Sequence, residues 1–171
     1  MPRSGPAHSV YLDGLKNAHG MENQALSIMK PQLKRIEHYP DVAAQLERHI
    51  HETEGQIARL EHILGELGES HSKLKDAALS FTGSMAALTH SAATDEILKN
   101  SFANFAFENF EIAAYTSLMT AAEETGAAEA NALLRQSLEE ERRMARWIEE
   151  NLPAITRAYI GRAEAGARAD V

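Results

Sequence analysis

Four glutamates stand in apolar helical runs at matching intervals. Glu22, in Glu22-Asn23-Gln24-Ala25-Leu26, precedes Glu52 by thirty residues. Glu111, in Glu111-Ile112-Ala113-Ala114-Tyr115, precedes Glu141 by the same thirty. A carboxylate on the inner face of a helix bundle is costly unless it is paired, protonated or bound to metal. Four of them, one per helix, cannot all be ionised at close range without a cation. Bundles that set four Glu around their axis do so for two divalent metals, and oxygen donors suit iron or manganese. A helix rises about 1.5 Å per residue, so a folded hairpin levels two such acids only if its turn falls at their midpoint. The midpoints are residue 37, beside Tyr39-Pro40, and residue 126, which is Gly126. An isolated Glu in a helix stripe more often lies at the edge with its head in water. Two equal spacings, each centred on a turn, argue against that for the set.

Neighbouring side chains fill in the picture. His49 lies one turn before Glu52 and Gln56 one turn after it, all on one face. His49 is expected in the core or bonded behind a ligating carboxylate rather than on a metal itself, and Gln56 as a weak ligand or supporting group. Glu54 and Glu61 fall off the core face, and Glu139, Glu140, Glu149 and Glu150 read as surface charge. Met21, Met29, Met119 and Met144 read as core filler.

The elements that must position these residues follow from their periodicity. A first helix spans Ser9 to His38, with Leu12, Leu15, Ala18, Met21, Ala25, Met29, Leu33 and Ile36 stepping by three or four. Pro31 should kink it. Asp41 is the expected N-cap of a second helix, Val42 to Leu67, stopped by Gly68. Gly55 within it is costly unless another helix or a ligand comes close. Residues 69–94 are too long for a hairpin turn and suit a crossover along the bundle. A third helix, Thr94 to Thr125, holds Phe102, Phe105, Phe107 and Phe110 and ends at Gly126. A fourth, Ala128 to Leu152, ends before Pro153, with a short C-terminal helix around Ile155, Tyr159 and Ile160. The expected organisation is a flexible N-terminus (1–8), a four-helix bundle of two antiparallel hairpins (9–160) and a flexible tail (161–171).

Composition narrows the function classes. The chain has 171 residues, 44% hydrophobic and 25% charged, with few aromatics. Abundant Ala, Leu, Glu and Arg and no alternating β-branched runs make it all-α. A net charge of −8 argues against a basic nucleic-acid surface and is mildly attractive to cations. With no cysteine, thiolate metal sites and disulfides are excluded. Residues 1–10 contain no signal-peptide core, and no run approaches the ~18 apolar residues of a membrane span. No membrane association and a cytoplasmic location are expected.

At these residues the chain resembles the ferritin-like bacterial stress proteins of the YciF/YciE type. The matches are Tyr11-Leu12 through Glu22, Glu52-Thr53-Glu54-Gly55-Gln56 with Arg59-Leu60-Glu61, Glu111 through Tyr115, and Leu138 to Glu141. They cover about residues 9–152. The resemblance implies a ferritin-like four-helix bundle, a dinuclear metal centre, a homodimer and no established reaction. Ferritin and rubrerythrin sites use Glu-x-x-His on the second and fourth helices. Here Gly55 and Met144 stand at those His positions, with Gln56 and Ala145 one residue on. The carboxylates carry over and the imidazoles do not, so ferroxidase or peroxidase chemistry is not implied.

Two functions remain. One is a stress-linked protein binding iron or manganese, with Glu52 and Glu141 bridging and Glu22 and Glu111 as terminal ligands. The alternative is a structural or interaction protein whose metal site is vestigial. A redox enzyme would need an open coordination position and an electron donor, and the sequence displays neither.

Overall fold

The computed structural model describes residues 5–69 and 93–171, apart from the side chain of Ala128. Four long helices account for most of them: α1 (Pro6–Arg35), α2 (Pro40–Glu66), α3 (Glu96–Glu124) and α4 (Asn131–Glu164). No strand occurs among the described residues. Cross-helix bonds give the directions. His19 meets Glu61 and Lys30 meets Glu54, so α1 and α2 run antiparallel. Arg35 meets Glu96, and Tyr115 meets Glu22, so α1 and α3 do too. Arg59 meets Ser137, and Arg143 meets Glu52, which makes α2 and α4 antiparallel. Asn131 reaches Met119 and Glu123 across the α3–α4 turn. α2 and α3 are therefore parallel, and α2 ends at the opposite end of the bundle from where α3 begins. The crossover expected over 69–94 lies almost wholly outside the described residues.

The inner faces explain the helices. On α1, Tyr11, Leu15, Ala18, Met21, Ala25 and Ile28 are buried, the three-and-four spacing of one helical face. α2 contributes Leu46, Ile50, Leu60, Ile63 and Leu64, and α4 contributes Leu134, Leu138, Met144 and Ile148. Each fully buried large side chain is worth roughly 1.5–3 kcal/mol. The middle of every inner face breaks this pattern. Glu22, His49, Thr53, Gln56, Glu108, Glu111, Ser137 and Glu141 are all at most 2% exposed. A polar layer is thus sandwiched between apolar ones. α3 is apolar on more than its inner face: Phe107 is buried, Phe102 and Phe110 are exposed.

Helix ends follow local chemistry. Pro40 opens α2 at a position whose missing N–H costs nothing, and Tyr39, not Asp41, is the residue before it. Gly68 and Gly126 hold φ of 79° and 70°, where only glycine is unstrained. This lets the Glu69 N–H return to the Leu64 carbonyl and the Ala127 N–H to that of Ala122. A single 3₁₀ turn, Ala128–Ala130, then leads into α4. A Cβ at Gly14 would stand 3.0 Å from Leu118, so α1 and α3 approach closely there. At Gly55 it would meet only the Arg59 guanidinium at an ordinary 3.5 Å, so no helix presses on that glycine.

The termini differ from expectation. α1 starts at Pro6, inside the stretch expected to be loose. α4 does not stop at Leu152. It continues through Pro153 to Glu164, so the short C-terminal helix is its continuation. Pro153, like Pro31 in α1, lies on an exposed face, where water can take the freed carbonyl and the helix can bend away from the ring. The expected loose tail folds back: Tyr39 donates a hydrogen bond to the Ala169 carbonyl, the Ile97 N–H donates to Asp170, and Ala169 and Val171 are buried. Deleting residues 168–171 should therefore lower stability by about 1–3 kcal/mol, chiefly through the lost Tyr39 and Ile97 bonds and the re-exposure of both residues, with the exposed Arg162 and Glu37 contacts of Arg168 adding little. Urea unfolding of both forms checks this, and an unchanged midpoint would show that the tail contributes nothing.

Candidate metal centre

The polar layer gathers around His49. Its Nε2 lies 3.3 Å from Glu108 Oε2 and 3.3 Å from Glu141 Oε2. One ligand atom from each of His49, Glu108, Glu111 and Glu141 falls within 4.8 Å of all the others, and all four residues are buried. Glu22 completes the layer from α1, its Oε1 accepting a 2.6 Å bond from the Tyr115 hydroxyl. Each helix contributes because each places a polar residue at mid-height. α3 contributes two, since Glu108 and Glu111 are three residues apart on one face.

Glu52 stands elsewhere. Its side chain is 21% exposed, with Oε1 accepting from Arg143 at 2.9 Å and Oε2 3.1 Å from His49 Nδ1. The histidine therefore turns its other nitrogen toward the acids, and Glu52 stands behind it. Gln56 donates to Glu141 Oε1 and, at 3.0 Å, to Glu140 Oε2. Arg59 also pairs with Glu140, which is only 6% exposed. The expectation that Glu140 is surface charge is thus corrected, because the half-buried Arg59 and the buried Gln56 pair with it. Glu54 and Glu61 do lie outside the layer, against Lys30 and His19.

Three of the four expected acids, Glu22, Glu111 and Glu141, thus lie in the central layer. Glu52 lies at its margin, and His49 faces inward in its place. Glu108 was not singled out in the sequence. Its place one turn before Glu111 was the available signal.

Electrostatics make the layer expensive when empty of cations. Burial, and then the charge of Glu141, holds the Glu22 carboxyl well above the usual range, against the Tyr115 bond. Burial raises Glu111 likewise, reinforced by Glu141, Glu22 and Glu108. Glu141 is pushed up to about 8 by burial and then by Glu108. Burial works to lower His49, but Glu108, Glu141 and Glu52 outweigh it and hold the imidazole well above its ordinary value. For Glu52 burial is outweighed by the His49 and Arg143 bonds, and its pKa falls. Both oxygens of Glu111 and Oε2 of Glu22 have no hydrogen-bond partner, while Oε2 of Glu108 and of Glu141 face only the His49 Nε2 at 3.3 Å. Unpaired buried carboxylate oxygens beside an imidazole nitrogen form a donor set that a hard divalent metal fits.

The comparisons agree with this architecture. The family described as Domain of unknown function (DUF892) matches residues 6–161. A protein from Xanthomonas campestris pv. campestris shares 30% identity and a TM-score of 0.78, covering 94% of this chain and 99% of that one. The Escherichia coli stress protein YciF matches at 24% identity and a TM-score of 0.69, covering 87% and 96%. YcfI from Rhodopseudomonas palustris matches at 21% and 0.65, covering 87% and 97%; at that identity the likeness shows the fold. The chain belongs to the DUF892 family, with the helical bundle of the YciF-type proteins.

Proposed function

We propose that the buried layer binds iron or manganese, with His49 Nε2 and the carboxylates of Glu108, Glu111 and Glu141 as ligands. The observation that carries this is the meeting of those four side chains within 4.8 Å in the core, with both Glu111 oxygens left unpaired. Glu22 stands beside them as a further carboxylate, steadied by Tyr115. Glu52 acts as a positioning residue: a carboxylate on one imidazole nitrogen orients the other toward metal. Gln56 fixes Glu141. Iron or manganese held there would supply Lewis acidity and one-electron redox capacity. By likeness to the E. coli stress protein, we read the chain as part of a stress response. A homodimer is also proposed, supported by exposed Val10, Phe102 and Phe110 on α1 and α3. Light scattering that gave only the monomer mass would end that part.

A second reading, a structural protein with a vestigial site, is favoured by the lack of a second imidazole: Met144 stands where ferritin-like sites place one. Metal content separates the two. Protein purified without chelator should contain iron or manganese and melt higher with it than without. Glu111→Gln and His49→Ala should abolish that increment, while Glu52→Gln should weaken metal affinity about 10–100-fold. Wild type without bound metal and with an unchanged melting temperature would leave the structural reading standing.

The pH dependence has a defined sign. Glu22, Glu111 and Glu141 hold their protons more tightly folded than unfolded. Their contribution is full below the unfolded carboxyl range and is lost as pH rises, for Glu141 through about 8. His49, also raised, contributes in the same direction. Metal-free protein should lose roughly 5–10 °C in Tm between pH 6 and 9, a few kcal/mol at ~2–4 °C each. Added manganese should recover more of Tm at pH 9 than at pH 6, because it replaces protons. Calorimetry across that range checks both.

A further inference from the structure

A cavity of about 240 Å³ opens between α2 and α4, separate from the buried layer but sharing Glu52 in its wall. Arg48, Arg143, Arg146, Trp147 and Glu150 line it as well. Arg48 and Glu52 are one turn apart on α2. Arg143, Arg146, Trp147 and Glu150 form one stripe on α4 at three-and-four spacing. Arg143 is committed to Glu52 at 2.9 Å. Arg48 and Arg146 are exposed and have no hydrogen bond or ion pair among the described residues.

We propose that this cavity binds a small oxyanion, a carboxylate or a phosphate, gripped by Arg48 and Arg146, with Arg143 in the wall beside it and Trp147 as an apolar wall. Three guanidinium groups converge here against two carboxylates, on a chain whose net charge is −8. Unpartnered cations facing one concavity repel each other, and an anion between them removes that cost. Guanidinium forks match the paired oxygens of carboxylate and phosphate alike. The volume of about 240 Å³ lies below the roughly 300–1,000 Å³ of sites for drug-sized molecules and suits a small anion. The same charges repel metal ions, so this opening serves a different ligand from the buried acids. Glu52 and Glu150 limit the site to anions that keep to the arginine side.

Trp147 is the single tryptophan of the chain and also borders a second cavity beside Tyr39 and Pro40, so its fluorescence signal is assigned to this cavity by the arginine variants. Inorganic phosphate and succinate are titrated at constant ionic strength, with equilibrium dialysis of labelled phosphate and labelled succinate as the second measurement. Binding should saturate for at least one anion, and which one distinguishes the two chemistries. The double variant Arg48→Gln/Arg146→Gln should weaken it about tenfold or more, the loss of charged hydrogen bonds. Arg142→Gln should leave it unchanged, since Arg142 is an exposed residue paired with Glu139 outside the cavity wall. No saturable binding of either anion by dialysis overturns the proposal. So does equal binding by the double variant, which would mark a general ionic effect.

Discussion

Charge balance in the central layer is the constraint on which the rest of this bundle depends. Glu22, Glu108, Glu111 and Glu141 are each at most 2% exposed and share their layer with one histidine. A single imidazolium cannot offset four carboxylates, and at low dielectric each uncompensated charge costs several kcal/mol. The apolar layers on either side offer no relief. The nearest arginines are spent on the margin, Arg59 on Glu140 and the exposed Arg143 on Glu52. Protons or a cation must complete the balance. The four helices therefore pack around a layer whose state of protonation or metal binding sets how stable that packing is.

Much of this was legible in the sequence because helix spacing reports height. The equal thirty-residue intervals, each centred on a turn, placed four acids near one level, and Glu22, Glu111 and Glu141 are fully buried. Spacing does not report azimuth as well. Residues 49, 52 and 56 all fit one broad face of α2, and a modest rotation decides which of them points to the axis. Arg143, on a different helix, draws Glu52 outward, and His49 takes the inner position. No property of the α2 segment alone contains that choice. Glu140 was misread for the same reason, since its partners Arg59 and Gln56 lie on α2.

The ends of the bundle show a different limit. Pro153 follows a stretch that reads as a completed helix, yet packing of Ile155 beside Tyr39 and Ile97 carries the helix through the lost bond and the ring's crowding of the preceding turn. The tail carries only Ala169 and Val171 as apolar anchors. Two residues make no periodic pattern. Their burial depends on the Ile97 N–H and the Tyr39 hydroxyl, groups distant in sequence.

The position of the imidazole bears on what the layer can hold. Ferritin-like sites carry Glu-x-x-His on the second and fourth helices. Here α2 carries His49-x-x-Glu52, the same two residue types at the same spacing in reverse order. Reversal exchanges their roles: the histidine faces the acids, and the carboxylate bonds its outer nitrogen. α4 has no imidazole to match, because Met144 follows Glu141 at that interval. The layer is consequently lopsided, with nitrogen and Glu108 on one side and a phenol-bonded Glu22 on the other. One nitrogen among several carboxylates is a harder donor set than the paired-histidine pattern. For the metal proposed above, that hardness argues for manganese or iron over copper or zinc, whose preferred ligands are nitrogen and sulfur.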